Sequence, residues 1–273
     1  MLEQAKLLTQ VLETGDRKQS RAGPVLSLHH LMVSHDMRNG FPVLTGRKFA
    51  FKTMAAELEC FVKGTANINE FHARNCHIWD ANLADFNMRT GWANNKDLGP
   101  IYGNVWRGRH PNGPDQLTEM LDDAVATPLS RRLLVTAWLP GVSNDPMRVA
   151  LPPCHVLWQI SIFKPYVDLC FYMRSVDLAL GLPFDVASYG LLQCLIGRQL
   201  KLTPRRLTGF LADAHVYESN LPGVWEYLAR PTFDLPTLVL DPTSSDQVVD
   251  FDYRACSLEN YQSGAPIAMK MAV

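Results

Sequence analysis

Apolar positions recur at helical spacing in some stretches of the chain and alternate at strand spacing in others. Leu8, Val11 and Leu12 predict a first helix, ended by Gly15-Asp16. Arg21-Ala22-Gly23-Pro24 reads as a loop and Val25 to Val33 as a strand. Phe51, Met54, Ala55, Leu58, Phe61 and Val62 form one helical stripe, stopped at Gly64. A short helix is expected over 67–74. Residues 80–114 are rich in Asn, Asp, Gly and Trp with little periodicity, and read as a long irregular stretch. Such a stretch inside a compact domain is more often functional than idle. A helix is expected over 115–126 and a strand over 132–138. Pro152-Pro153 forces an extended entry to the next element, because proline restricts itself and the residue before it. Val156, Trp158, Ile160 and Ile162 then alternate, which predicts a strand over 155–163 with 167–174 as its hairpin partner. The longest apolar helix covers 183–200, its stripe including Ala187, Leu191, Cys194 and Leu195, with Pro183 near its first turn. Short strands follow at 207–211 and 238–240. Strands in runs with helices between them predict an α/β (α+β) fold, a mixed central sheet with packed helices around one core. No repeat or linker divides the chain, so a single domain over 1–273 is expected.

Composition narrows the class. The 273 residues are 47% hydrophobic and 19% charged, ordinary for a globular chain and enough for a sizeable core. Lys+Arg number 26 against 27 Asp+Glu, a net charge of −1. That argues against a broad basic surface and against nucleic acid as an obligate partner. No apolar run approaches the roughly 18 residues of a membrane span. The start, Met1 to Leu8, carries charges where a signal peptide has its apolar core, so a cytoplasmic protein with no membrane partner is expected. The six cysteines show no C-x-x-C pairing, and no metal site is expected.

Four groups of residues could carry chemistry. Cys154 follows two prolines and opens a strand, which suits either a rigidly held nucleophile or a buried small hydrophobe. Arg131-Arg132 enters a strand and Arg174-Ser175 leaves one; guanidinium plus hydroxyl suits a phosphate, and equally a solvated face. Asp177, Asp185 and Asp213 stand at expected element ends, where carboxylates commonly cap. His215 and Tyr217 share one face if extended.

Taken in order, these pieces resemble the thymidylate synthase family. The resemblance rests on Leu151-Pro-Pro-Cys-His155, the run from Tyr172 to Tyr189, and Ala212-Asp-Ala-His-Val-Tyr217. Arg21, Ala56-Glu57-Leu58, Ile78-Trp79-Asp80, Leu98 to Gly103, Ser130-Arg131-Arg132 and the terminal Lys270 to Val273 follow in family order. The resemblance implies a thymidylate synthase-like fold, a sheet-to-sheet homodimer, and one-carbon transfer from methylenetetrahydrofolate to C5 of a pyrimidine nucleoside monophosphate. By that likeness Cys154 attacks C6 of the base, Arg174 binds phosphate and favours the thiolate, and Arg21 and Ser175 complete the phosphate site. Arg131 and Arg132 match arginines given by the partner subunit. His215 and Tyr217 match the pair on the sugar 3′-hydroxyl, and Glu57 the glutamate that organises proton transfer. Trp79, Asp177, Leu180, Gly181 and Phe184 match the folate pocket, and Val273 the tail that closes over it.

The departures bear on specificity. Where dUMP-using relatives have asparagine, this chain has Asp185. An ionised carboxylate only accepts hydrogen bonds, which suits the N4 amino group of cytosine and opposes O4 of uracil. Two acceptors facing each other in a dry site cost about 1–3 kcal/mol. The same exchange is the hallmark of the bacteriophage dCMP hydroxymethylase branch. Met173 replaces a usual glutamine, Ala22-Gly23-Pro24 shortens a phosphate loop, and Asn82 and Cys60 replace aromatics. Loss of an aromatic wall at Asn82 leans towards water capture and a hydroxymethyl product. The expected activity is dCMP 5-hydroxymethylation, giving 5-hydroxymethyl-dCMP and tetrahydrofolate for DNA modification. The alternatives are a dCMP methyltransferase, a CMP hydroxymethylase, an atypical thymidylate synthase, and a non-catalytic nucleotide or RNA binder.

Overall fold

The computed structural model describes residues 2–109 and 113–271. The order is α1 (Leu2–Thr14), β1 (Asp16–Ser20), β2 (Gly23–Asp36), α2 (Phe51–Lys63), α3 (Ile68–His72), α4 (Asp80–Thr90), α5 (Tyr102–Trp106) and α6 (Gln116–Ala126). Then follow β3 (Leu134–Thr136), β4 (His155–Phe163), β5 (Tyr166–Asp177), α7 (Gly181–Leu200), β6 (Thr203–Tyr217), α8 (Leu221–Ala229), β7 (Thr237–Leu240) and β8 (Cys256–Glu259). Six strands make one mixed sheet in the order β1-β2-β6-β5-β4-β3, and β7 and β8 pair separately. Neighbours in the large sheet are antiparallel except β5 and β6, which run parallel through the crossover helix α7. This is the mixed α/β architecture that the residue pattern predicts.

Helices α1 and α7 pack on the sheet, and α2 packs on α7. Along β5, Phe171 and Met173 are buried while Tyr172 between them is exposed, the period of two that assigns each to a face. The buried set joins Trp158, Leu207, Leu211 and the α7 stripe in one continuous core. Gly209 is required in that core. A Cβ there would stand 2.5 Å from the ring of its register partner Phe171, which stacks on Tyr189 with centroids 4.4 Å apart. On the uncovered face the register partners Met32, Phe210 and Tyr172 lie side by side and exposed.

The described part of the stretch 80–114 holds two helices that the sequence pattern did not predict. It contains α4, which starts after Trp79, buries Leu83 and Phe86, and ends at Gly91 in the left-handed conformation. It also contains α5, packed so tightly that a Cβ on Gly103 would stand 2.2 Å from the Phe61 carbonyl oxygen. α4 buries only two side chains, too weak a stripe to stand out among polar neighbours. β6 runs well past the expected 207–211, so Asp213 is a mid-strand residue and not an element end. The polar strand β1 and the helix α8 have no counterpart in the expected elements. β1 is an edge strand paired only to β2, where an apolar stripe is not needed. Among the described residues no helix is long and apolar enough to cross a membrane.

Candidate active site

A cavity of about 720 Å³ opens at one end of the sheet. The parallel register places Ser175 beside Asp213 and Asp177 beside His215, so the C-terminal ends of β5 and β6 form its floor together. β4 pairs with β5 at His155 and Met173, and the Arg174 N–H donates to the Cys154 carbonyl at 3.0 Å. That fixes the first residues of β4 against the last of β5. Glu57 comes from α2, Trp79 and Asn82 from the start of α4, and Phe184 and Asp185 from the first turns of α7. The turn between β1 and β2 adds Ser20, Arg21 and Ala22, and Met271 from the C-terminal tail reaches the rim.

Cys154 is held at both ends. Its N–H donates to the Tyr102 hydroxyl at 2.9 Å, and its Sγ lies 3.8 Å from an Arg174 nitrogen. Arg174 is itself anchored, donating to the carbonyls of Pro152 and Pro153 at 2.8 and 2.9 Å. Burial pushes the Cys154 thiol upward; Arg174 and the Tyr102 contact pull it down, and Asp185 pushes it up again. The net direction is up, so Arg174 tempers burial without overcoming it. Attack by the sulfur requires that its proton leave.

Three acidic side chains have distinct surroundings. Glu57 is half-buried on the cavity wall, and the desolvation it suffers there raises its carboxyl to about 7. The Trp79 indole N–H donates to it at 2.8 Å and, with His155, opposes that rise; Asp185 adds to it. Such a group exchanges protons readily near neutrality. Asp185 Oδ1 lies 2.8 Å from His155 Nε2, and the Tyr189 hydroxyl lies 3.2 Å from the other ring nitrogen. With Nε2–H donating to Asp185, that second nitrogen is free to accept from Tyr189. Asp177 accepts from the N–H groups of Ala179 at 2.8 Å and Leu180 at 3.3 Å, closing the turn into α7, and burial raises its carboxyl.

The remaining expected residues separate into three sets. Arg21, Trp79, Leu180, Gly181, Phe184, Ser175, His215 and Tyr217 all line the cavity. Arg131 and Arg132 are exposed and lie outside its lining. Val273 lies outside the described residues. The structure adds groups that the sequence reading did not single out. Lys18 pairs with Asp213, which also accepts from Ser27 at 2.8 Å and sits 3.3 Å from His215 Nδ1. Tyr102, His155 and Tyr189 form a line of rings beside Cys154, with Tyr102 and His155 centroids 4.4 Å apart. Asn220, buried, grips the tail by accepting from the Lys270 N–H at 2.8 Å and donating to its carbonyl at 2.9 Å. His155 was signalled only by its place after Cys154; Lys18 and Asn220 carried no signal without the fold.

The donor set suits a nucleotide and a flat heteroaromatic partner. Arginine, serine, histidine and tyrosine line the cavity together with the apolar Ile78, Trp79, Leu180 and Phe184. The family model for thymidylate synthase matches residues 3–273. A thymidylate synthase from Mesoplasma florum is 32% identical over 298 aligned positions, covering 100% of both chains.

Proposed function

The chain belongs to the thymidylate synthase family, a group of folate-dependent one-carbon transferases acting on pyrimidine nucleotides, and from that premise we propose that it is a deoxycytidylate 5-hydroxymethylase. The observation that carries the base preference is Asp185, a carboxylate lining the cavity with one oxygen 2.8 Å from His155. An acceptor there receives the N4 amino group of cytosine and, with one proton shared at N3, both edge positions of that base. Uracil O4 would face it as a second acceptor.

In this reading Cys154 Sγ adds to C6 of dCMP, which makes C5 electron-rich. Methylenetetrahydrofolate, the donor the family uses, supplies the electrophilic carbon when bound. Trp79, Asp177, Leu180, Gly181 and Phe184 would hold it. Glu57 accepts and returns the protons that C5 and the thiol must lose, through its position near neutrality. As the carbon passes to C5 its bond to the folate nitrogen would break and tetrahydrofolate would leave; water then adds to the exocyclic carbon on the base, the C6–S bond breaks, and 5-hydroxymethyl-dCMP leaves. Asn82 on the cavity wall leaves a polar approach for that water. Arg21, Arg174 and Ser175 receive the phosphate, and His215 with Tyr217 the 3′-hydroxyl. The catalytic unit is one domain over 1–273 acting as a homodimer in the cytoplasm. Arg131 and Arg132 reach a partner's phosphate site, and the exposed row at Met32, Phe210 and Tyr172 meets its counterpart.

A second reading is favoured by the name of the Mesoplasma florum relative: methyl transfer to dUMP. One experiment separates them. The masses of the products from dCMP, dUMP and CMP are measured in parallel, each with methylenetetrahydrofolate. Hydroxymethyl product from dCMP alone is expected. Methyl product from dCMP keeps the base preference and removes the water step; product from dUMP alone overturns the proposal.

A further inference from the structure

Outside the cavity, at the junction of α3 and α4, two imidazoles converge on one carboxylate. His72 closes α3, and Asn75, in the left-handed conformation at φ 54°, turns the chain back. The Cys76 N–H donates to the Phe71 carbonyl at 3.0 Å and pins the returning strand of the turn. His77 thereby stands over His72, ring centroids 4.7 Å apart and planes 30° from parallel. Asp80, the first residue of α4, presents one oxygen to each ring: Oδ1 at 2.6 Å from His72 Nε2 and Oδ2 at 3.0 Å from His77 Nδ1.

We propose that His72, His77 and Asp80 form a binding site for a divalent transition-metal ion of the zinc class. The three ligand atoms lie within 4.8 Å of one another. Ligands about 2.0–2.2 Å from a tetrahedral zinc ion are about 3.3 Å apart, so the ion enters with small side-chain adjustments. Two imidazoles and a carboxylate select zinc, nickel, cobalt or copper over magnesium and calcium, which take oxygen donors. The side chains are 40%, 57% and 46% exposed, so the ion has a direct path from solvent and keeps its remaining positions for water. The ring nitrogens and carboxylate oxygens that now meet one another would turn to the metal instead. The site adjoins the cavity wall along the chain, because Ile78 and Trp79 line the cavity. Trp79 lies between His77 and Asp80 in the chain and holds Glu57 through its indole. An ion clamping the turn therefore stiffens the segment that carries Trp79.

The test uses the full chain, purified without a polyhistidine tag and freed of metal by chelator. Zn(II) is titrated by calorimetry, and Co(II) by its visible absorption. One saturable site is expected for each metal, weakened roughly tenfold or more in His72→Gln and in His77→Gln and unchanged in Cys154→Ser. The Gln variants should melt with the metal-free protein, and Zn(II) should raise the melting temperature of the unsubstituted chain only. No saturable binding, or binding that survives both His substitutions, overturns the proposal. Binding lost in Cys154→Ser does so too, because the metal would then sit on the thiol.

Discussion

Glu57 shows at the scale of one residue how a site sets stability against chemistry. Its carboxyl, near 4.5 in the unfolded chain, stands at about 7 in the fold because burial penalises its charge. The fold therefore binds that proton more tightly than the unfolded chain does. Stability is fully present below pH 4.5 and is lost as pH rises through 7, by on the order of 3 kcal/mol. Glu57→Gln removes the penalty. The variant should melt higher than the parent at pH 8, match it near pH 4, and lose turnover by roughly 100-fold or more; thermal melts at the two pH values and a rate assay check all three. Asp185→Asn tests another single atom. Turnover of dCMP should fall by about 10- to 100-fold while dUMP becomes a substrate, since the new amide donates to O4. Unchanged dCMP turnover would sink the base-readout argument. At this scale the sequence was informative through ordered motifs rather than single residues: Cys154 and Asp185 were each ambiguous alone and stood out only within the runs that resemble the family. It said little of Lys18 or Asn220, whose roles come from strands and tails far away in the chain.

Among the elements, those with a full apolar stripe were legible and those without were not. α2 and β4 have the expected extents, because burial on one face imposes the period on the sequence. α4 and β1 bury little and left no period to read, yet both supply the cavity, with Asn82 and Lys18. α5 owes its place to a close approach. Gly103→Ala should push α5 away from α2, lower the melting temperature by several degrees, and loosen Tyr102 under Cys154. The C-terminal tail is a weaker element, held on Asn220 by two hydrogen bonds. Asn220→Ala should release it. Under the proposed closure over the folate, KM for methylenetetrahydrofolate should rise several-fold while nucleotide affinity stays within about twofold. Steady-state kinetics and nucleotide titration would show equal losses if the tail were no lid.

For the whole molecule, the proposed homodimer would give two exposed arginines a role in the partner's site. Arg131 and Arg132 lie outside the cavity of their own chain, and the sheet leaves an apolar row uncovered. If each site takes arginines from its partner, Arg131→Ala with Arg132→Ala should be nearly inactive alone, as should Cys154→Ser. Refolding the two together in equal amounts should restore roughly a quarter of full activity, because half the dimers then carry one complete site. No recovery would place the arginines elsewhere. This arrangement could not be read from strand patterns, since exposure of an apolar row is known only once the sheet face is known.

The turn closed by Asp177 has a consequence for descent. Its carboxylate anchors the entry to α7 through the N–H groups of Ala179 and Leu180, with no help from residue 185. Aspartate and asparagine differ there by one atom and almost no volume, so lineages can exchange one for the other without first acquiring a compensating change. If residue 185 reads the base as proposed, a change of preferred base on this scaffold is a single neutral-sized step, and two such enzymes can diverge in substrate while their backbones remain superimposable.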